Sequence, residues 1–182
     1  MTDKLRWELF AGDITSEDLG KITTDKFPSE IYIEEGGFKL FLGAAHHARN
    51  TEILDQLRIT YVLNVAAHEI RTEELYGDRY KCMRVNMEDE ETFNISEHMD
   101  EALGFVDEAR GNQAGILVHC AAGVSRSATV VIAYLMTYHK WSLKKAANYV
   151  YQKRPWIYPN SGFVAYLLEH EKTIQSHKCT VS

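Results

Sequence analysis

Five residues separate Cys120 from Arg126, at the junction of two apolar segments. Ahead of them Gly115-Ile116-Leu117-Val118 reads as a short buried strand, and behind them Ala128 to Met136 reads as a buried helix. His119 and Cys120 therefore sit where a strand ends and a helix begins, which commits the centre of the chain to an α/β arrangement. The linking residues Ala121, Ala122, Gly123, Val124 and Ser125 can curl so that successive backbone N–H groups point inward. Gly123 is free to take a positive φ, and the unpaired donors of the helix start complete the ring. Such a ring is a cradle for one tetrahedral dianion. The same donors and the fixed charge of Arg126 favour a thiolate at Cys120 over a thiol. Arg126 can hold two equatorial oxygens of the anion in a fork, and Ser127 Oγ is placed to donate to the sulfur. A buried, inert Cys beside an ordinary helix start would need none of Gly123, Arg126 and Ser127 in phase with it.

His-Cys, five residues, Arg-Ser resembles the signature of the cysteine-dependent protein tyrosine phosphatase superfamily. Ala-Ala-Gly-Val-Ser-Arg-Ser resembles its dual-specificity branch. The resemblance covers roughly residues 30 to 175 and implies hydrolysis of phosphomonoesters on protein Tyr, Ser and Thr. The chemistry runs through a cysteinyl-phosphate, with Cys120, Arg126, Asp89 and Ser127 as catalytic residues and 121–126 as the phosphate-binding loop. It calls for no metal and no cofactor. The departing oxygen needs a proton, and the acidic stretch Glu88-Asp89-Glu90-Glu91 offers four carboxylates among which composition does not choose. The family does: its acid is an Asp followed after four residues by Asn-Leu-Ser or similar, and Asp89 stands at that distance from Asn94-Ile95-Ser96. Like charges beside Asp89 favour its protonated form. Pro159-Asn160-Ser161-Gly162-Phe163 resembles the family's Pro-Asn-x-Gly-Phe stretch, whose Asn orders the phosphate loop. Asn160 inherits that supporting role or caps the last helix, the two being compatible. His119 is a further supporting residue.

Other readings bound the function. A phosphoinositide or RNA 5′-phosphatase of the same superfamily is an alternative, but Ala121, Ala122 and Val124 add no cation to Arg126. A catalytically silent phospho-binding module is the other; related silent proteins usually lack the Cys or the acid, and this chain has both. A net charge of −6 disfavours a grip on nucleic-acid backbone. The longest apolar run is under half of the ~20 residues needed to cross a bilayer. Three scattered cysteines form neither a disulfide framework nor a zinc motif, which fits a reducing cytoplasmic or nuclear setting. The implied partner is a phosphoprotein, a signalling kinase among the candidates, met by a monomer. Cys179-Thr180-Val181-Ser182 fits a prenylation pattern, and only then would weak membrane contact follow.

The expected fold is one α/β domain, a central mixed, mostly parallel sheet flanked by helices on both faces. Residues 1–28 read as an N-terminal extension packing on it through a short helix opened by Thr15-Ser16-Glu17-Asp18, 29–176 as the catalytic domain and 177–182 as a tail. Ile31–Ile33 and Phe38–Leu42 form a hairpin about Gly36-Gly37 at a sheet edge. The chain is helical at least from Thr51 with Asn50 as N-cap, then forms strands over Tyr61–Val65 and Tyr80–Met87, with Glu69–Asp78 between them as a loop or helical turn. A helix starts at the N-cap Ser96 and ends before Gly111, another runs from Ser142 to the stop at Pro155, and a last one spans Ser161–Ile174.

Overall fold

The computed structural model describes residues 2–10 and 15–179, in the order α1 (Thr2–Phe10), α2 (Ser16–Thr24), β1 (Ser29–Ile33), β2 (Lys39–Gly43), α3 (Ala45–Arg49), α4 (Thr51–Gln56), β3 (Ile59–Asn64), β4 (Lys81–Arg84), α5 (Ser96–Gly111), β5 (Gly115–His119), α6 (Arg126–His139), α7 (Leu143–Lys153) and α8 (Ser161–Cys179). The sheet runs β1-β2-β5-β3-β4, so β5 lies at its centre. β1 and β2 are antiparallel, while β2–β5, β5–β3 and β3–β4 are parallel. All five residues of β5 are buried, as a parallel strand covered on both faces must be.

The strand period of two divides those side chains between unequal layers. Ile116 and Val118 join Leu40, Leu42 and Leu63 in the larger core, which also takes the apolar faces of α5, α6, α7 and α8. Leu117, Phe41 and Val62 turn the other way, against Ala48, Leu54, Tyr76 and Tyr80. That smaller layer belongs to α3, α4 and the loop before β4. Eleven consecutive residues of α6, Arg126 to Met136, are buried, because this helix packs between the sheet and three other helices, α5, α7 and α8.

Several boundaries differ from expectation. The segment before β3 is two short helices that change direction at Asn50, whose side chain caps the second by accepting from Ile53 N at 3.2 Å. Ser96 is the first residue of α5 and no cap: its hydroxyl donates to Asn94 Oδ1 at 2.6 Å. Gly111 is the last residue of α5, and the left-handed turn that stops the helix falls on Gln113 (φ 54°). β4 ends at Arg84, although Val85 and Met87 continue into the core. The expected loop 69–78 holds the 3-10 turn Glu73–Leu75, and a second, Gly77–Arg79, runs one residue past it. α8 runs to Cys179, five residues beyond Ile174. The N-terminal stretch carries α1 as well as the anticipated α2, whose capping box at Thr15 and Asp18 is in place. Leu9 and Phe10 of α1 are buried in the larger core, and Phe10 meets Tyr158 edge-to-face at 6.3 Å. Thr180–Ser182, three of the four residues of the prenylation-like pattern, lie outside the described residues.

Candidate active site

At the C-terminal end of β5 the chain turns through Cys120–Ser125 into α6 with every carbonyl from Ala121 to Val124 taken from outside. Ala45 N donates to Ala121 O at 3.0 Å, Arg154 Nη2 to Ala122 O at 3.3 Å, Arg154 Nε to Gly123 O at 2.8 Å, and Tyr158 N to Val124 O at 2.8 Å. A trans peptide points its N–H opposite to its C=O, so carbonyls held outward leave amides directed inward. Gly123 makes the curl possible. Its φ is +69°, and a Cβ there would lie 2.5 Å from Gly43 O of the neighbouring strand. No other residue type fits.

Cys120 Sγ occupies the inside of this nest. It accepts from Gly123 N at 3.2 Å and shares a hydrogen bond with Ser127 Oγ at 3.2 Å, both in a buried setting. The N-cap of α6, Ser125, makes no capping bond to its own helix. Its hydroxyl donates instead to Asp89 Oδ1 at 2.7 Å. The helix start thus keeps unpaired N–H groups for an anion. Asn160 adds a second tether: its Nδ2 donates to the same Asp89 oxygen at 3.0 Å, its N–H to Ser125 Oγ at 3.2 Å, and its Oδ1 accepts from Phe163 N at 2.9 Å. The Asn160 side chain thus caps the last helix and reaches Asp89, while its backbone N–H is what touches the loop. Gly162 lets the acidic loop approach, since a Cβ there would lie 2.0 Å from Glu91 O.

Arg126 is buried, and its fork is already engaged. Nη1 and Nη2 donate to the two oxygens of Glu69 at 2.8 and 3.2 Å, and Nη1 also reaches Met87 O at 3.2 Å. Nε is buried without a hydrogen-bond partner and stands 3.6 Å from Asp89 Oδ2. Burial works against the guanidinium charge, but the Glu69 bonds and the charges of Cys120, Asp89 and Glu69 outweigh it and raise the Arg126 pKa. The Arg126 hydrogen bonds in turn hold the Glu69 carboxyl below its ordinary range, with burial opposing and the Arg126 and His68 charges helping. Asn64 builds the turn that delivers Glu69: its Oδ1 accepts from Ala66 N at 3.0 Å and its Nδ2 donates to Ile70 O at 2.7 Å.

The catalytic-domain model described as "Dual specificity phosphatase, catalytic domain" matches residues 40–173. The chain belongs to that family. Dual specificity protein phosphatase 5 of Homo sapiens is 42% identical over 135 residues, 74% of this chain and 34% of its own length. The chain thus spans about a third of that relative. Dual specificity protein phosphatase 1 of Arabidopsis thaliana is 39% identical over 151 residues, 83% of this chain and 72% of its own. Among solved structures, the human tyrosine phosphatase-like serine/threonine/tyrosine-interacting protein superposes with a TM-score of 0.72 at 29% identity, covering 83% of this chain and 99% of that one. Human DUSP28 gives 0.70 at 31% identity, covering 76% and 94%.

Within this dual specificity phosphatase domain the fold gathers Cys120, the loop 121–125, Arg126, Ser127, Asp89 and Asn160 at one end of β5. His119 stands behind them, fully buried, its Nδ1 3.2 Å from Cys120 O. The three acidic neighbours set beside Asp89 in the sequence, Glu88, Glu90 and Glu91, are exposed, and the groups that reach its carboxylate are two donors and a cation. Glu69 and Arg154 did not stand out from the sequence. The Arg-Pro dipeptide ending α7 marked a helix stop, and nothing local distinguishes a buried Arg from a solvated one.

Proposed function

We propose that the chain is a protein phosphatase that hydrolyses phosphotyrosine and phosphoserine/phosphothreonine through a cysteinyl-phosphate. The observation that carries this reading is the position of Cys120 Sγ inside a ring of inward amides, with Asp89 tethered above it by Ser125 and Asn160. The phosphoryl group enters the ring with its equatorial oxygens on the loop amides and on Arg126. Glu69 holds the end of the guanidinium fork, so Nε and the second hydrogen of Nη2 remain for substrate oxygens. Sγ forms the S–P bond in line as the P–O bond to the leaving group breaks, and Asp89 gives its proton to that oxygen. Oδ1 of Asp89 already accepts two hydrogen bonds, so Oδ2, beside Arg126, is the proton-carrying atom. In the second half Asp89 takes a proton from water as the water oxygen bonds to phosphorus. The S–P bond breaks, and Ser127 Oγ–H stabilises the returning thiolate. Charge on the phosphoryl oxygens is met by fixed donors throughout.

The substrates are phosphoproteins, signalling kinases among them, and the setting is the reducing cytoplasm or nucleus that keeps Cys120 free. Among the described residues no helix is long and apolar enough to cross a membrane. The three units proposed are the N-terminal extension 1–28, the catalytic domain 29–176 and the tail 177–182. Turnover of p-nitrophenyl phosphate and of phosphotyrosyl and phosphothreonyl peptides tests the activity. Both substrate types should be hydrolysed, and Cys120→Ser should abolish the reaction while still binding phosphopeptide. Binding without turnover by the unaltered chain would make it a silent phospho-binding module instead.

A further inference from the structure

The family match begins at residue 40, yet a side chain well upstream of it reaches the support of the loop. Arg154, which binds Ala122 O and Gly123 O, has no solvent exposure, and its Nη1 donates to Asp25 Oδ2 at 2.8 Å and to Ser29 Oγ at 3.4 Å. A guanidinium so deeply buried requires a counter-charge, and among the described residues Asp25 is the carboxylate bonded to it. Asp25 is in turn fixed from the far side. His47 is buried, and its Nδ1 accepts from Ala44 N at 2.9 Å, which puts the ring proton on Nε2. That Nε2 lies 3.2 Å from Asp25 O and 3.3 Å from Oδ2, while His46 Nε2 lies 3.0 Å from Oδ1. Asp25, His46 and His47 thus cluster as a metal site would. A protonated Nε2 has no lone pair for an ion, however, and the cation already facing the carboxylate is Arg154.

We propose that Asp25 is a positioning residue for the phosphate loop, so that the segment around α2 completes the active site. Asp25 sets the plane of the Arg154 guanidinium, and Arg154 holds the Ala122 carbonyl outward. The same rigid peptide carries the Gly123 N–H, which points at Cys120 Sγ at 3.2 Å. The Gly123 carbonyl fixes the Val124 N–H in the same manner. Three links therefore connect a carboxylate outside the matched domain to the nucleophile and to the amides that meet the phosphoryl oxygens.

This inference rests on the phosphatase reading of the loop, and its test does not depend on turnover. In the full chain, orthovanadate affinity is read as protection of Cys120 from iodoacetate, alongside Tm, for the unaltered protein, Asp25→Glu and Asp25→Asn. Asp25→Asn should weaken vanadate binding between about 10- and 100-fold, with Asp25→Glu recovering part of the loss. Unchanged affinity in Asp25→Asn overturns the proposal. So does an equal loss of affinity and of Tm in both variants, which is what a purely structural role would give. If Asp25→Asn does not fold, Asp25→Glu decides alone: weaker vanadate binding at an unchanged Tm supports the role, and unaltered binding overturns it. A chain that binds vanadate and hydrolyses nothing would remove the phosphatase reading while leaving the role of Asp25 measurable.

Discussion

Two arginine–carboxylate pairs flank the same loop and differ in how far water reaches them. Behind the loop, Arg154 and Asp25 have side-chain exposures of 0% and 15%; in front, Arg126 and Glu69 have 5% and 40%. The rear pair is closed, and every Arg154 nitrogen is spent on protein oxygens. The front pair leaves Arg126 Nε unbonded and its carboxylate half in solvent. On the proposed function, depth of the carboxylate separates scaffold from working part: a buried partner fixes geometry, and a wetted one leaves a guanidinium that substrate can share.

Removing the front cation is the strongest way to break this contrast. Arg126→Ala should cost about 10³- to 10⁵-fold in kcat/KM on a phosphopeptide, since the fixed charge acts on the transition state, and should leave the chain folded. If it unfolds the chain while Asp25→Asn does not, the two pairs have been given each other's roles. Asp89→Ala should lose about 10²- to 10⁴-fold on phosphopeptides and much less on aryl esters with acidic leaving groups, measured as paired kcat values. Equal losses on both would move the proton donor to another carboxylate. Glu69→Gln should lower kcat/KM roughly tenfold, the worth of one hydrogen bond to a charge. A rise in activity would mean that Glu69 competes with substrate for the fork.

The smallest effect is one of stability and belongs to the rear pair. Burial pushes the Asp25 carboxyl up, but hydrogen bonds from His47 and Arg154 and the Arg154 charge bring it down to about 2 from 3.8. A carboxylate with a depressed folded pKa stabilises the fold fully above its unfolded value and ceases to do so as pH falls through the folded one. Asp25 should therefore contribute about 2 kcal/mol above roughly pH 4 that disappears toward pH 2. Urea midpoints at pH 7 and pH 3 should fall more steeply in the unaltered chain than in Asp25→Asn.

The loop at the front of the site could be read in the sequence because its geometry is local. Gly123, Arg126 and Ser127 lie within seven residues of Cys120, and the strand and helix around them are continuous apolar runs. The mostly parallel sheet followed from the same runs. The rear could not be read in this way. Arg154 bonds Gly123 across 31 positions and Asp25 across 129, and in front Glu69 likewise meets Arg126 across 57, so no spacing rule joins either pair. Ser96 misled for the opposite reason: its residue type suits a cap, but Asn94 Oδ1 took its hydroxyl first. The hydrogen-bond competition that decides such ends depends on neighbours that only the folded chain provides.

The outward donors to the loop also set when the nest around Cys120 can form. Ala45 precedes Cys120 in the chain, but Arg154 and Tyr158 follow it, and Asn160, which holds Asp89, comes later still. A chain emerging from the ribosome exposes Cys120 while three of the four carbonyls beside it have no partner. Such a chain carries a thiol without a nest. On the proposed function, reactivity toward phosphate esters would therefore be acquired late in synthesis, once α7 and the start of α8 close over the loop. An unfinished or nicked chain lacking that last quarter would hold every atom from Cys120 to Ser127 and none of the donors that turn three of its carbonyls outward.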